Sequence, residues 1–324
     1  MPVLKSVCPL DCPDACAVRI TVEGGRVTRL EGDPDHPFTR GFACVKTYRY
    51  PERQNHPDRL THPLLRAGPK GEGRFLRASW DEALDLVAER TRAAVARHGG
   101  ESVLRYDYAG TMGYVEGNHC HAFFRALGAS ELDATICAAT GGAGWEANYG
   151  PDKLGTDPED VPHARVIVLW GIDAARSHVH LMPDVKAAKR AGAFVLHVDP
   201  YRNETTRIAD EHWQLAVGSD TAVALAMGHV ILRDGLEDRD YLDRHARGLD
   251  AYRDAVAPWT PERAADVSGL DPQRIEEVAR RFATAGPAYV RVGYGMTRNE
   301  GGGNAVRAVT LLPALTGAWR HRGG

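Results

Sequence analysis

The spacing of apolar side chains changes along this chain and predicts strands in some segments and helices in others. In AVRITVEGGRVTRLEG, residues 17–32, apolar and polar residues alternate on both sides of Gly24 and Gly25. Alternation interrupted by two glycines is typical of two antiparallel strands joined by a tight turn. The segment is therefore predicted to form a β-hairpin.

Residues 78–100 follow a helical spacing instead. The segment begins with the capping-box pattern Ser79-x-x-Glu82, repeats apolar side chains such as Leu84 and Val87, and ends at two glycines. This pattern predicts a helix with one buried face. The next residues, SVLRYDYAG at 102–110, have the composition of a strand, and a second helix is predicted over 117–127. The alternation of helix and strand indicates a layered α/β domain.

Two short apolar runs indicate a parallel sheet in the second half of the chain. They are ARVIVLWG at 164–171 and AFVLHVDP at 193–200, with a helix predicted near 179–191 between them. Ligands of such β-α-β units bind beyond the carboxyl ends of the strands. No G-x-G-x-x-G follows the first strand, which disfavours an ordinary nicotinamide site. Further helices are predicted at 220–235 and 272–285, and a further strand at 288–295.

Composition limits the classes of function. The chain has 324 residues, 43% hydrophobic and 26% charged, and a formal net charge of −3. This length suggests two or three domains, and the near balance of charge gives no field for nucleic acid or a membrane surface. No apolar run reaches the length of a membrane span, and Cys8 comes too early for a secretion signal before it, so a cytoplasmic protein is expected. In that compartment, six cysteines favour metal binding or catalysis over disulfides.

Four of the cysteines have a spacing suited to an inorganic cluster. Cys8, Cys12, Cys16 and Cys44 follow the pattern C-x3-C-x3-C-x27-C, with Pro9 and Pro13 preventing a continuous helix in the first loop. Structural zinc more often uses two C-x2-4-C pairs, whereas three cysteines from one loop and a distant fourth suit an iron–sulfur cluster. A zinc ribbon or a set of unligated buried cysteines remains an alternative.

The cysteine loop, the hairpin and the sequence Cys44-Val45-Lys46 together resemble the amino-terminal domain of the molybdopterin oxidoreductases, the family of dimethyl sulfoxide reductase and formate dehydrogenase. The resemblance implies that the four cysteines hold a [4Fe-4S] cluster. It also implies that Lys46 lies between this cluster and a pterin of the molybdenum cofactor.

Loops in the second half of the chain resemble the same family. WGID at 170–173, VDPYRNETT at 198–206 and AVGSD at 216–220 match segments that hold the guanine dinucleotide part of the cofactor, although Val217 replaces the usual proline. The glycine-rich GYGMTRNEGGGN, from 293 on, matches a loop that approaches the pyrophosphate, and a phosphate at a helix amino terminus has a sound physical basis. The resemblance therefore implies a bis-molybdopterin guanine dinucleotide site that includes Gly171, Asp173, Asp199, Pro200, Arg202, Gly218, Asp220, Gly295 and Met296.

Cys137 lies in ATICAATGGAGW, residues 134–145, whose small residues and glycines predict a segment too loose for a helix interior. In the family, the protein ligand to molybdenum or tungsten comes from the corresponding stretch, so the resemblance implies that Cys137 is this ligand. A soft thiolate suits such a metal. The alternative is a small buried cysteine that acts as a hydrophobic side chain.

The predicted fold is α/β, with a small β-rich iron–sulfur domain followed by two αβα Rossmann-like domains with parallel sheets. The predicted boundaries are 1–60 for the cluster domain, 61–140 plus 286–324 for a discontinuous α/β domain, and 141–285 for the dinucleotide-binding domain. The resemblance covers almost all of this chain but only the first half of a typical member. Either a separate subunit supplies the other half, or the chain is a truncated or artificially shortened product.

The resemblance implies a molybdenum- or tungsten-dependent oxidoreductase that exchanges two electrons with a small-molecule substrate. An electron-transfer protein or subunit would then accept electrons from the cluster, and a cysteine ligand points towards formate- and nitrate-type substrates. Two alternatives stay open. One is a non-catalytic iron–sulfur electron-transfer fragment, and the other is a zinc-stabilised binding protein.

Overall fold

A computed structural model describes residues 3–107, 120–133, 135–151 and 155–324. The chain forms two compact units, 1–134 and 135–324, which are called the amino-terminal and carboxyl-terminal units below.

Three antiparallel strands open the amino-terminal unit in the order β1-β2-β3. They are β1 Val3–Val7, β2 Ala17–Glu23 and β3 Arg26–Gly32. The hairpin predicted from alternation is confirmed, and Gly24 and Gly25 form its turn with φ angles of +55° and +79°. Positive φ at both central residues matches the twist of the flanking strands, and only glycine adopts it without a Cβ penalty. The remaining strand of this sheet, β1, was not predicted from the sequence; it pairs with β2.

Among the described residues, the remaining elements of this unit are short, apart from one helix. That helix, α3, spans Trp80–His98 and begins with the predicted capping box of Ser79 and Glu82. Its buried face is not observed, because Leu84 and Val87 are 59% and 62% exposed. The other elements are α1 Val45–Tyr48, α2 Tyr50–Gln54, the antiparallel pair β4 Leu64–Arg66 and β5 Phe75–Arg77, and α4 His121–Ala126.

The strand predicted over 102–110 and the helix over 117–127 fall partly outside the described residues. Within them, Leu104 forms an isolated parallel bridge with Ser130, and α4 accounts for the later part of the helix.

The carboxyl-terminal unit is built on a four-stranded sheet in which every neighbouring pair is parallel. The strand order is β8-β7-β6-β9. The strands are β6 Val166–Trp170, β7 Phe194–Val198, β8 Glu211–Trp213 and β9 Ala288–Val292. The predicted β-α-β unit is confirmed, and its first strand is fully buried, as expected for a parallel strand covered on both faces.

Helices supply the apolar cover of this sheet. The long helix α8 contributes Val223, Met227 and Ile231, and α12 adds Ile275 and Phe282, all of them buried in one core. Asp271 caps α12 and Pro272 is its first residue, as the sequence predicted. The helices are α5 Cys137–Tyr149, α6 Ala174–Ser177, α7 Leu181–Arg190, α8 Asp220–Arg233, α9 Arg239–His245, α10 Leu249–Val256, α11 Pro261–Ser268, α12 Pro272–Thr284 and α13 Gly302–Leu315.

The segment after Cys137 is a helix, α5, which corrects the prediction of a loose loop. Its glycines permit close packing: a Cβ on Gly144 would strike the backbone of Gly303 on α13, and one on Gly141 would lie 3.1 Å from the Tyr294 ring in the loop after β9. The contact continues at Tyr149, whose hydroxyl donates to the Thr310 carbonyl at 2.5 Å. Tertiary packing thus offsets the low helix propensity of glycine.

The α/β class, the small β-rich amino-terminal region and a parallel sheet are confirmed. Residues 286–324 lie in the carboxyl-terminal unit, where β9 pairs with β6. The boundaries of three domains, and a second parallel sheet, stay predictions. Among the described helices, none combines the length and the apolar character needed to cross a membrane.

Candidate functional site

The three early cysteines lie in the irregular loop that connects β1 to β2. These strands pair up to Val7 and Ala17, and the Cys8 amide then donates to the Cys16 carbonyl at 2.8 Å. Cys8 and Cys16 therefore sit at the base of the loop, with Cys12 between them. Ala15 has a φ of +44°, in the left-handed region that non-glycine residues rarely adopt. The loop is thus held in a constrained shape by the sheet beneath it.

The four cysteines are close enough to influence one another electrostatically. Burial, together with the nearby Asp14, Cys8, Cys12 and Cys44, raises the pKa of the Cys16 thiol to about 12. Burial likewise raises the pKa of Cys12 to about 11. Bringing several sulfurs together in a buried place disfavours their thiolate forms unless a cation balances the charge. Iron bound to the sulfurs would supply this charge, so the donor set fits a cluster.

Cys44 reaches this loop because the chain folds back after β3. A Cβ on Gly32 would lie only 2.5 Å from the Gly41 carbonyl oxygen, so glycine is required where the returning segment crosses the end of β3. Cys44 itself is buried and precedes α1. The distant cysteine is thus brought back towards the early loop, where the Thr47 hydroxyl lies within 3.7 Å of both Cys44 Sγ and Cys8 Sγ.

Two residues that follow Cys44 on α1, Lys46 and Thr47, differ in how far they are exposed and in how they interact with the cysteines. Lys46 is exposed, and its charge acts to lower the pKa of Cys12 against the larger effect of burial. Thr47 is buried, with its Oγ1 lying 3.1 Å from Cys8 Sγ and 3.7 Å from Cys44 Sγ. The sequence reasoning singled out Lys46 but missed Thr47.

Within the described residues, no three or more His, Cys, Asp or Glu side chains surround a single metal position. In a [4Fe-4S] cluster each cysteine binds a different iron, so the four sulfurs need not converge on one point.

The loops that follow β6 and β9 meet at the carboxyl edge of the parallel sheet. The Gly295 amide donates to the Gly171 carbonyl at 3.1 Å. Gly171 has a φ of +63°, and a Cβ there would lie 3.1 Å from the Met296 backbone nitrogen. Three predicted residues, Gly171, Gly295 and Met296, are thus brought together, and the glycines allow their two loops to touch.

Asp173 and Asp199 follow the two central strands and are held by short polar contacts. The Thr205 hydroxyl donates to Asp173 Oδ1 at 2.9 Å. Asp199 is buried, and its Oδ1 accepts the Tyr201 amide at 3.1 Å. Pro200 and Arg202, by contrast, are exposed at the rim. At this edge of the sheet, the proline and the arginine are therefore exposed, while hydrogen bonds fix the orientation of the two aspartate carboxylates.

The turn before α8 holds Gly218 and Asp220 in place. Gly218 has a φ of +87°, and a Cβ on it would lie 3.5 Å from Asn299 Oδ1 in the loop after β9. Asp220 is buried, and its Oδ1 accepts a 2.7 Å hydrogen bond from the Trp170 indole. Burial raises the pKa of Asp220, and the bond from Trp170 opposes that rise. Asp220 therefore joins α8 to the end of β6.

His197, on β7, is fully buried behind these loops. Its Nδ1 lies 2.9 Å from Thr206 Oγ1, and its Nε2 lies 3.2 Å from the Ile172 carbonyl. Its ring also stacks on His212, with centroids 5.3 Å apart. A histidine in the apolar run AFVLHV was a signal that the sequence analysis did not use, since a buried imidazole needs partners.

Cys137 is the first residue of α5 and is partly exposed. The Thr297 hydroxyl lies 3.0 Å from the Cys137 carbonyl, so this cysteine is beside the loop that carries Gly295 and Met296. The sequence predicted both segments but not their contact. A partly exposed thiol beside this loop is a possible ligand for a metal held by a pterin.

Two family models match the chain and together cover nearly all of it. The model of the molybdopterin oxidoreductases matches residues 59–324, and the model of the molybdopterin oxidoreductase Fe4S4 domain matches residues 1–56. The chain therefore belongs to the molybdopterin oxidoreductase family and carries its [4Fe-4S] domain. This confirms the resemblance drawn from the cysteine loop and the later strand ends, together with the iron–sulfur cluster and the molybdopterin as the family's cofactors.

Among its relatives, "Probable oxidoreductase YoaE" of Bacillus subtilis is 35% identical over 99% of this chain and 47% of its own length. Formate dehydrogenase H of Escherichia coli is 31% identical over 98% of this chain and 45% of its own. In structure, the chain is similar to acetylene hydratase from Pelobacter acetylenicus, with a TM-score of 0.78 and 25% identity over 97% of this chain and 43% of that one. The chain thus spans about half the length of the relatives it matches.

Proposed function

We propose that this chain is the amino-terminal, cluster-bearing part of the catalytic subunit of a molybdenum or tungsten bis-pterin oxidoreductase. The observation that carries the proposal is the gathering of the cysteines: the Cys8 amide donates to the Cys16 carbonyl at 2.8 Å, and the Thr47 hydroxyl lies within 3.7 Å of both Cys8 Sγ and Cys44 Sγ. The cofactor, when bound, would supply the two-electron chemistry, and the protein would hold and orient it.

The residues of this chain have separate tasks under the proposal. The four cysteines bind the [4Fe-4S] cluster, and Lys46 provides a positive charge on the route between cluster and pterin. Cys137 binds molybdenum or tungsten. The dinucleotide rests on the carboxyl edge of the parallel sheet, where ligands of such sheets bind, through Gly171, Asp173, Asp199, Pro200, Arg202, Gly218, Asp220, Gly295 and Met296.

The proposed reaction exchanges two electrons with a small molecule, and formate or nitrate is the favoured class of substrate because a cysteine would bind the metal. Relatives named formate dehydrogenase H and nitrate reductase are consistent with this choice. The proposed partners are an electron-transfer protein or subunit and the half of the enzyme that corresponds to the rest of its relatives. The proposed compartment is the cytoplasm.

The test is elemental analysis of the chain purified without oxygen, for iron, molybdenum, tungsten and zinc. We expect about four irons per chain, with molybdenum or tungsten when the cofactor is supplied. Cys16→Ser should lose most of the iron, whereas Cys120→Ser, a change outside the four-cysteine set, should retain it. Iron without molybdenum or tungsten would support the alternative of an electron-transfer fragment. Zinc in place of iron would overturn the proposal.

A further inference from the structure

The hydroxyl of Thr47 is aimed at two sulfurs of the cysteine set. It lies 3.1 Å from Cys8 Sγ and 3.7 Å from Cys44 Sγ, both within hydrogen-bond reach of sulfur. Thr47 is only 1% exposed, so water has no access with which to compete for the hydroxyl proton. Thr47 therefore links a cysteine of the early loop to the cysteine that arrives after β3.

The direction of these bonds follows from the chemistry of a ligated sulfur. In the thiol state either partner can donate, but a cysteine bound to iron is a thiolate and can only accept. The Thr47 hydroxyl carries one proton, which it can give to Cys8 or to Cys44. The shorter contact favours Cys8. The backbone amide of Cys8 donates its hydrogen bond to the Cys16 carbonyl, at 2.8 Å.

We propose that Thr47 tunes the reduction potential of the cluster by donating a hydrogen bond to its cysteine ligands, chiefly Cys8. This inference rests on the proposed function, because it needs the cluster to be bound. When the cluster takes up one electron, its charge becomes more negative and part of that charge lies on the sulfurs. A donor next to a sulfur stabilises the reduced form more than the oxidised form and raises the potential. Burial strengthens the effect, since the local dielectric is low.

Three variants separate this role from simple packing. Thr47→Val keeps the branched shape but removes the hydroxyl, while Thr47→Ser keeps the hydroxyl and removes the methyl group. Thr39→Val is the matched control, because Thr39 is also buried in this unit but its hydroxyl contacts His36 Nδ1, at 3.0 Å. The cluster is titrated with dithionite as the electron donor, and its reduced form is followed by electron paramagnetic resonance.

We expect Thr47→Val to shift the midpoint potential to a more negative value, with Thr47→Ser and Thr39→Val close to the wild type. A wild-type potential in Thr47→Val, or a shift in Thr47→Ser as large as that in Thr47→Val, would overturn the inference. Where Thr47→Val does not assemble a cluster, Thr47→Ala removes the same hydroxyl without an added methyl contact and must show the same negative shift. Failure of the wild type itself to bind iron would instead refute the proposed function.

Discussion

The Thr206 hydroxyl lies 2.9 Å from Nδ1 of His197, whose imidazole is fully buried. The opposite nitrogen, Nε2, faces the Ile172 carbonyl at 3.2 Å, which can only accept, so Nε2 carries the proton. Nδ1 must then accept from Thr206, whose oxygen accepts the Asn203 amide at 3.1 Å. His197 thus fastens the loop after β6 to the loop after β7, and both loops belong to the proposed dinucleotide site.

Replacing His197 with phenylalanine should weaken the carboxyl-terminal unit. An aromatic ring remains, but the buried Ile172 carbonyl loses its donor, at a cost of about 1–3 kcal/mol, and the partly buried Thr206 hydroxyl loses its acceptor, at a smaller cost. Urea unfolding measures the loss. His98→Phe, at the exposed end of α3, is the control and should change stability little. Equal stability of both variants would show that the two hydrogen bonds contribute nothing.

His197 should also make stability depend on pH. Burial lowers its pKa below the ordinary 6.5; nearby Asp199 and Asp173 oppose this fall, and His212 adds to it. The unfolded chain therefore binds a proton that the folded chain does not, and stability rises with pH within this window. The contribution is complete above about pH 6.5 and is lost as pH falls towards the lower folded value. His197→Gln should flatten the slope of unfolding free energy against pH, and an unchanged slope would contradict the assignment.

The hydrogen bond between Trp170 and Asp220 should stabilise the fold more than an ordinary surface contact does. Trp170→Phe keeps an aromatic ring but leaves the buried carboxylate without its indole donor, 2.7 Å away in the wild type. We expect a loss of about 1.5–3 kcal/mol, as for hydrogen bonds to charged groups. A double-mutant cycle with Asp220→Ala, which removes the acceptor, measures the coupling, and Trp80→Phe, at an exposed tryptophan, is the control. Additive effects of the two changes would argue against this bond.

Because of the contact between α5 and α13, we expect alanine to be tolerated at one of two glycines and to destabilise the unit at the other. Gly144→Ala should destabilise the unit by about 1–3 kcal/mol, because the new methyl would enter the space of the Gly303 carbonyl. Gly303→Ala should change stability little, since its Cβ would be 3.4 Å from the nearest atom, the Thr140 carbonyl oxygen, and alanine has the higher helix propensity. Thermal unfolding of the two variants measures the difference in their melting temperatures. Equal melting temperatures would mean that the helices separate easily.

Local patterns predicted the hairpin, the capping box of α3 and the β-α-β unit, because each depends on residues near one another in sequence. The family resemblance of the cysteine spacing was confirmed for the same reason. Contacts between distant segments were missed. The contact of Thr47 with Cys8 joins residues 39 positions apart, and that of Thr297 with Cys137 joins residues 160 positions apart. No local pattern in the sequence predicts such contacts. The glycines after Cys137 misled the prediction because distant segments pack closely on two of them, α13 on Gly144 and Tyr294 on Gly141.

The role proposed for Cys137 can be tested apart from the cluster, because Cys137 belongs to the carboxyl-terminal unit and the four proposed cluster ligands belong to the amino-terminal one. Cys137→Ser would replace one sulfur ligand of molybdenum or tungsten with oxygen. X-ray absorption at the metal should then show one sulfur fewer, with the iron content unchanged. Cys120→Ser serves as the control and should alter neither quantity. An unchanged sulfur count in Cys137→Ser would mean that Cys137 does not bind the metal and that its position beside Thr297 serves only to begin α5.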